Sequence, residues 1–126
     1  MITLALQQKD LINQMLTATK SSRINISKEE RTKSVAEAFS KNITLGDILL
    51  LNGEIGVGKT TFIKYLINFL QRQNKKTISE IPSPTFNLVN EYQLDPFLVK
   101  HFDLYRINDE KELNNLDIFE NLSKQI

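Results

Sequence analysis

Residues 53–60 read Gly53-Glu54-Ile55-Gly56-Val57-Gly58-Lys59-Thr60 and fit G-x-x-x-x-G-K-[ST] at every fixed position. That spacing suits the holding of phosphate. Glycines let the backbone curl until successive N–H groups face inward, and a helix starting at the lysine adds its positive end. Lysine supplies charge to the outer phosphates, and the hydroxyl that follows suits Mg²⁺. The candidate nucleotide-binding residues are therefore Gly53, Glu54, Ile55, Gly56, Val57, Gly58, Lys59, Thr60 and Thr61. Three of the chain's four glycines fall in this stretch, which argues against a chance match.

Phosphate chemistry also needs an acid to hold Mg²⁺ or to orient water. Asp103, at the end of the run LVKHF, is the best-placed candidate for a catalytic and metal-binding carboxylate, beside Lys59 as catalytic cation and Thr60 as metal ligand. A plain turn-capping role for Asp103 is the alternative. Ser83-Pro84-Thr85 is a rigid, hydroxyl-bearing segment that either senses a terminal phosphate as a switch loop does or sets a strand's entry angle. His101, the only histidine, is read as packed or surface-exposed and is left out of the chemistry. An N-K-x-D base-reading motif is missing, since Asn74-Lys75-Lys76 lacks the aspartate; this favours ATP over GTP.

The elements around these residues follow from periodicity. Ile48-Leu49-Leu50-Leu51 is an unbroken apolar run between Gly46 and Gly53, as in a strand buried on both faces of a parallel sheet. Phe62, Ile63, Leu66, Ile67, Phe69 and Leu70 form a helical stripe after the loop. Upstream, Ile24–Ser27 reads as a short strand. Ser27 with Glu30 has capping-box spacing before a helix whose apolar face is Val35, Ala36, Ala38 and Phe39. Downstream, IPSPTFNLVNEYQL and PFLVKHFDLYR are rich in strand formers and are separated by Asp95-Pro96, too little chain for a crossover, so they should pair antiparallel. Asp109 with Glu112, and Asp117 with Glu120, mark two short closing helices. The expected fold class is α/β, a single domain of the phosphate-loop NTPase type with a mixed, mostly parallel sheet flanked by helices. It spans residues 23–126. Residues 1–22 read as an N-terminal extension with a short amphipathic helix (Leu11, Ile12, Met15, Leu16), and TKSSR as a linker.

Composition narrows the function classes. Sixteen Lys and Arg against fifteen Asp and Glu leave a net charge of +1, without the basic excess of a free-standing nucleic-acid binder. A shared contact to RNA stays open. With no cysteine, disulfides and thiolate-ligated metals are excluded. No apolar run approaches the ~18 residues of a membrane helix, and the N-terminus is a poor signal peptide. The expected location is the cytoplasm.

SPTFNLVNEY, then HFDLYR, NDEKEL and NLDIFENL, all downstream of GEIGVGKTTF, resemble the bacterial TsaE (YjeE) family from about Ile24 to the last residue. The phosphate loop alone is unspecific; its order with the other segments is specific. The resemblance implies a small ATPase, using ATP and Mg²⁺, needed to make N6-threonylcarbamoyladenosine in tRNAs that read codons beginning with A. It implies action with TsaB and TsaD, with tRNA contacted only indirectly and no membrane role. It gives Lys59 and Thr60 to phosphate and Mg²⁺, an essential acidic role to Asp103, a switch-like segment to Ser83 and Thr85, and a place near the nucleotide to Thr32. Family members continue into a strand bearing a Glu-Trp pair that helps hold Mg²⁺. This chain ends at Ile126 and has no tryptophan, so the expectation is ATP binding with slow or no hydrolysis. A degenerate nucleotide-binding module is the main alternative. A small P-loop kinase fits less well, because RQNKK (72–76) is too slight for a lid.

Overall fold

The computed structural model describes residues 3–7, as backbone, and 25–126. The expected helix around Leu11–Leu16 and the linker at 19–23 lie outside the described residues. Seven elements are described: β1 (Thr3–Gln7), α1 (Glu29–Asn42), β2 (Ile48–Asn52), α2 (Lys59–Gln73), β3 (Val89–Gln93), β4 (Leu98–Phe102) and α3 (Glu110–Asn114), followed by a single 3₁₀ turn at Leu122–Lys124.

The core forms where α1 lies on α2. Thr32, Ala36 and Ser40 recur every four residues and are buried together, a stripe of small side chains that lets the helices approach closely. Phe62, Leu66, Ile67 and Leu70 bury the facing stripe, as the sequence pattern predicts. Phe39 meets Phe62 edge to face, with centroids 5.8 Å apart. Ala38, expected on the apolar face, is exposed, while Val35 and Phe39 are half-buried. Nor does the predicted capping box form. α1 starts at Glu29, so Lys28 is the N-cap and carries no side-chain bond. Ser27 falls one position early, and its N–H donates to Asn25 Oδ1 at 2.9 Å. Asn25–Ser27 is irregular chain, not a strand.

The sheet departs most from expectation. The described strands make two antiparallel pairs, β1 with β2 and β3 with β4, in place of one mostly parallel sheet. The reason lies in the connections. A parallel neighbour requires a crossover that returns the chain to the sheet. After α2 the chain forms no strand until Val89, and the next two strands are tied by the turn at Leu94–Phe97. That second pair is as predicted, with Val89 opposite Phe102 and Gln93 opposite Leu98. One parallel bridge is present, Leu98 with Gln125. There, Lys100 N donates to Ile126 O, Ile126 N to Leu98 O, and Gly46 N to Gln125 O, so the last residues span from β4 to the approach of β2. β2 is not buried on both faces: Leu49 and Leu51 pack on the core while Leu50 is 49% exposed.

Of the two closing helices, the first forms as predicted. Asp109 Oδ1 accepts from Glu112 N at 2.8 Å and caps α3. The second does not. Asp117 sits at φ 50° and Asn121 at φ 52°, left-handed values that break the segment into turns before the 3₁₀ turn.

Candidate phosphate site

The loop after β2 takes the shape its glycines permit. Gly56 has φ 83° and Gly58 φ 103°, a region costly to residues with a Cβ. An added Cβ at Gly56 would meet nothing within 4 Å, so backbone conformation, not space, requires glycine there. Gly58 is the N-cap of α2, and the first helical bond runs from Phe62 N to Gly58 O. The amides of Lys59, Thr60 and Thr61 therefore open the helix without intrahelical partners. An anion placed there meets amide hydrogens and the positive helix end together. Lys59 folds back over the loop, with Nζ donating to the carbonyls of Gly53 (2.5 Å) and Glu54 (2.6 Å).

Asp103 stands just past β4, and the segment before β3 comes to meet it. Gln71, buried in α2, organises that approach: its Nε2 donates to Ser79 Oγ at 2.8 Å and its Oε1 accepts from Ser79 N at 3.2 Å. The chain then passes the buried Ile81 and Pro84 and turns at Thr85–Asn87, closed by Leu88 N on Pro84 O at 2.7 Å. Asp103 N donates to Leu88 O at 2.9 Å, fastening this turn to the end of β4. As a result Ser83 Oγ and Thr85 Oγ1 lie 3.3 and 3.2 Å from Asp103 Oδ2, and 2.8 Å from each other. Asp103 Oδ1 accepts from Tyr105 N at 3.1 Å. One Asp103 oxygen thus caps a turn, as one reading of this residue expects, and the other lies against two hydroxyls. The Tyr105 contact is the turn cap that the alternative reading expects, with the two-residue spacing of an Asx turn.

One cavity of about 600 Å³ joins the two halves of the site. Gly53, Glu54, Ile55, Lys59, Thr60, Ser83 and Asp103 all contribute to its wall, which continues along β2 and β4 into apolar lining. The described wall does not include Gly56, Val57, Gly58, Thr61, Thr85 or Thr32. Thr32 is buried in α1, where its hydroxyl donates to Ile26 O at 3.2 Å. His101 also lines the cavity and is buried. Burial lowers its pKa to about 4 against the opposing pull of Asp103, so it is neutral at pH 7. Among the described residues no group of three His, Cys, Asp or Glu could hold a metal. The oxygens present suit Mg²⁺ in the way that ion is commonly bound, by one or two protein oxygens with the rest from phosphate and water. Among the described residues no helix is long and apolar enough to cross a membrane.

Comparison with known proteins bears on the same residues. Residues 26–126 match the family described as "Threonylcarbamoyl adenosine biosynthesis protein TsaE". Similar proteins carry the name tRNA threonylcarbamoyladenosine biosynthesis protein TsaE. The one from Rickettsia bellii is 39% identical over 103 residues, covering 82% of this chain and 69% of the relative. That from Rickettsia conorii is 37% identical over 98 residues, covering 78% and 54%. That from Aquifex aeolicus is 42% identical over 81 residues, covering 64% and 59%. The matched stretch is thus between about half and just over two-thirds of each relative's length.

Proposed function

The chain belongs to the TsaE family, and on that premise we propose that it is an ATP-binding accessory protein in the threonylcarbamoyladenosine modification of tRNA, acting with TsaB and TsaD. The observation that supports this best is the shared cavity: Lys59 and Thr60 at the head of α2 face the same space as Asp103 at the end of β4. A nucleotide triphosphate meets that space with its phosphates on the loop amides and Lys59. To reach them, Lys59 exchanges its bonds to the Gly53 and Glu54 carbonyls for phosphate oxygens. Thr60 and Asp103 would hold Mg²⁺, directly or through water. The ion, when bound, neutralises charge on the outer phosphates. Asp103 accepts hydrogen bonds from water at that end of the cavity, its carboxylate fixed by Tyr105 N. The cycle of binding and hydrolysis resets the partner complex, with tRNA contacted only indirectly.

The test is a titration of ATP–Mg²⁺ onto the purified chain, followed by a tRNA-modification assay reconstituted with TsaB and TsaD. Stimulation by ATP that depends on Lys59 supports the proposal; full modification without this chain would sink it. A second reading, a nucleotide-binding module that does not hydrolyse, draws on the shortage of acids. Of the carboxylates on the described cavity wall, Asp47 is buried and bonded to Thr44, and Glu54 is exposed on the loop, leaving Asp103 alone near the hydroxyl cluster. Phosphate release measured alone and with the partners separates the two readings.

A further inference from the structure

Ser83 Oγ, Thr85 Oγ1 and Asp103 Oδ2 form a triangle with edges of 2.8, 3.2 and 3.3 Å. A triangle of two hydroxyls and a carboxylate oxygen has three edges and only two protons. The 2.8 Å edge, between the hydroxyls, has the usual length of a good O–H···O bond, so one hydroxyl donates to the other. The second proton then goes to Oδ2, and the third edge is a contact between lone pairs. Either ordering gives a two-step relay that ends on Asp103. We take Thr85, whose Oγ1 lies 3.2 Å from Oδ2, as the direct donor. With Tyr105 N on Oδ1, each carboxylate oxygen has a donor, and the plane of the group is fixed.

The hydroxyl protons are therefore engaged within the cluster and not offered outward. A phosphate oxygen approaching it would find lone pairs. Water molecules around a cation, which bring donors, would find acceptors. We propose that Ser83 and Thr85 are positioning residues: they orient the Asp103 carboxylate so that it accepts from metal-bound water, and they do not themselves sense the terminal phosphate. The backbone supports such a role. Pro84, fully buried, links Ser83 to Thr85 in the chain, and the turn that begins at Thr85 is bonded to β4 through Leu88 O and Asp103 N. This inference rests on the ATP–Mg²⁺ reading of the cavity and adds how its acid is held.

The experiment compares Thr85→Val, Thr85→Ser, Ser83→Ala and Asp103→Asn with the unaltered chain. Binding of a non-hydrolysable ATP analogue is titrated across Mg²⁺ concentrations and in EDTA. Removing a partner that orients a metal's ligand typically costs about 10–100-fold in metal affinity. Thr85→Val should raise the Mg²⁺ needed for half-maximal binding by about tenfold or more, while affinity in EDTA changes less than about twofold. Thr85→Ser, which keeps the hydroxyl, should restore the Mg²⁺ requirement. Ser83→Ala, one step further back, should cost less than Thr85→Val. In the Asp103→Asn background Thr85→Val should add little, because the two act as a unit. An unchanged Mg²⁺ requirement in Thr85→Val, or equal losses with and without metal, overturns the inference; the second result would make Thr85 a phosphate contact. Should the unaltered chain fail to bind the analogue, the ATP reading falls. A crystal structure of nucleotide-free Thr85→Val then decides this point separately: a carboxylate turned away from Tyr105 N upholds positioning, and one left in place refutes it.

Discussion

Lys59 Nζ donates to the carbonyl of Gly53, six residues back along the loop that Lys59 itself closes. The cation that would meet the outer phosphates is thus bonded to the loop's own backbone, together with Glu54 O. In the proposed complex, phosphate oxygens would replace these carbonyl oxygens.

From this, Lys59→Ala should abolish measurable ATP binding while the fold survives. Charge-assisted hydrogen bonds are worth about 1.5–3 kcal/mol each. Without two such bonds to phosphate, binding should weaken about a hundredfold or more. Isothermal titration of the variant, with circular dichroism as the folding control, checks this; unchanged affinity refutes the phosphate-loop assignment.

Asp103→Asn should leave ATP affinity within about tenfold and remove hydrolysis. A contact made mainly in the transition state lowers turnover more than ground-state binding. Single-turnover phosphate release alongside equilibrium binding makes the comparison. Equal losses in both would leave Asp103 only its turn-capping bond to Tyr105 N.

His101 makes stability depend on pH. Its folded pKa, about 4, lies below the ordinary 6.5, so between those values the unfolded chain binds more protons. The contribution is intact above about pH 6.5 and is lost as pH falls toward 4. At pH 5 the loss relative to pH 7 should be about 2 kcal/mol. Urea unfolding at both pH values, for the chain and for His101→Gln, isolates the effect. An equal drop in both proteins would assign it to other groups.

Gln71→Leu should destabilise the chain by about 1–3 kcal/mol, because it strands the Ser79 amide and hydroxyl without the partners that Gln71 supplies. The segment leading to Ser83 should loosen as well, visible as faster amide exchange between Ser79 and Leu88. Stability equal to that of the parent would mean that water replaces the amide group at no net cost.

The phosphate loop and the helix after it were legible in the sequence because their requirements are local. Positive φ at Gly56 and Gly58, the lysine after them and the apolar stripe of α2 are all set within about twenty consecutive residues. The β3–β4 pairing was legible for the same reason: its turn leaves no other partner. The cap on α3 depends on Asp109 and Glu112 alone, and it formed. Asp117, with the same spacing to Glu120, did not cap, because a left-handed residue breaks a helix regardless of capping chemistry. What surrounds β2 was not legible. An apolar run records that a strand will be covered, but not whether its neighbour runs parallel or antiparallel, and the described residues supply β1 from far up the chain. The meeting of Ser83 and Thr85 with Asp103 was equally out of reach. It depends on Leu88 O receiving Asp103 N and on a glutamine in α2 holding Ser79, bonds between parts of the chain whose composition says nothing of each other. Residue types and short spacings thus determined that phosphate could be held. The sequence also singled out Asp103, but only long-range hydrogen bonding decided what surrounds that carboxylate and holds it.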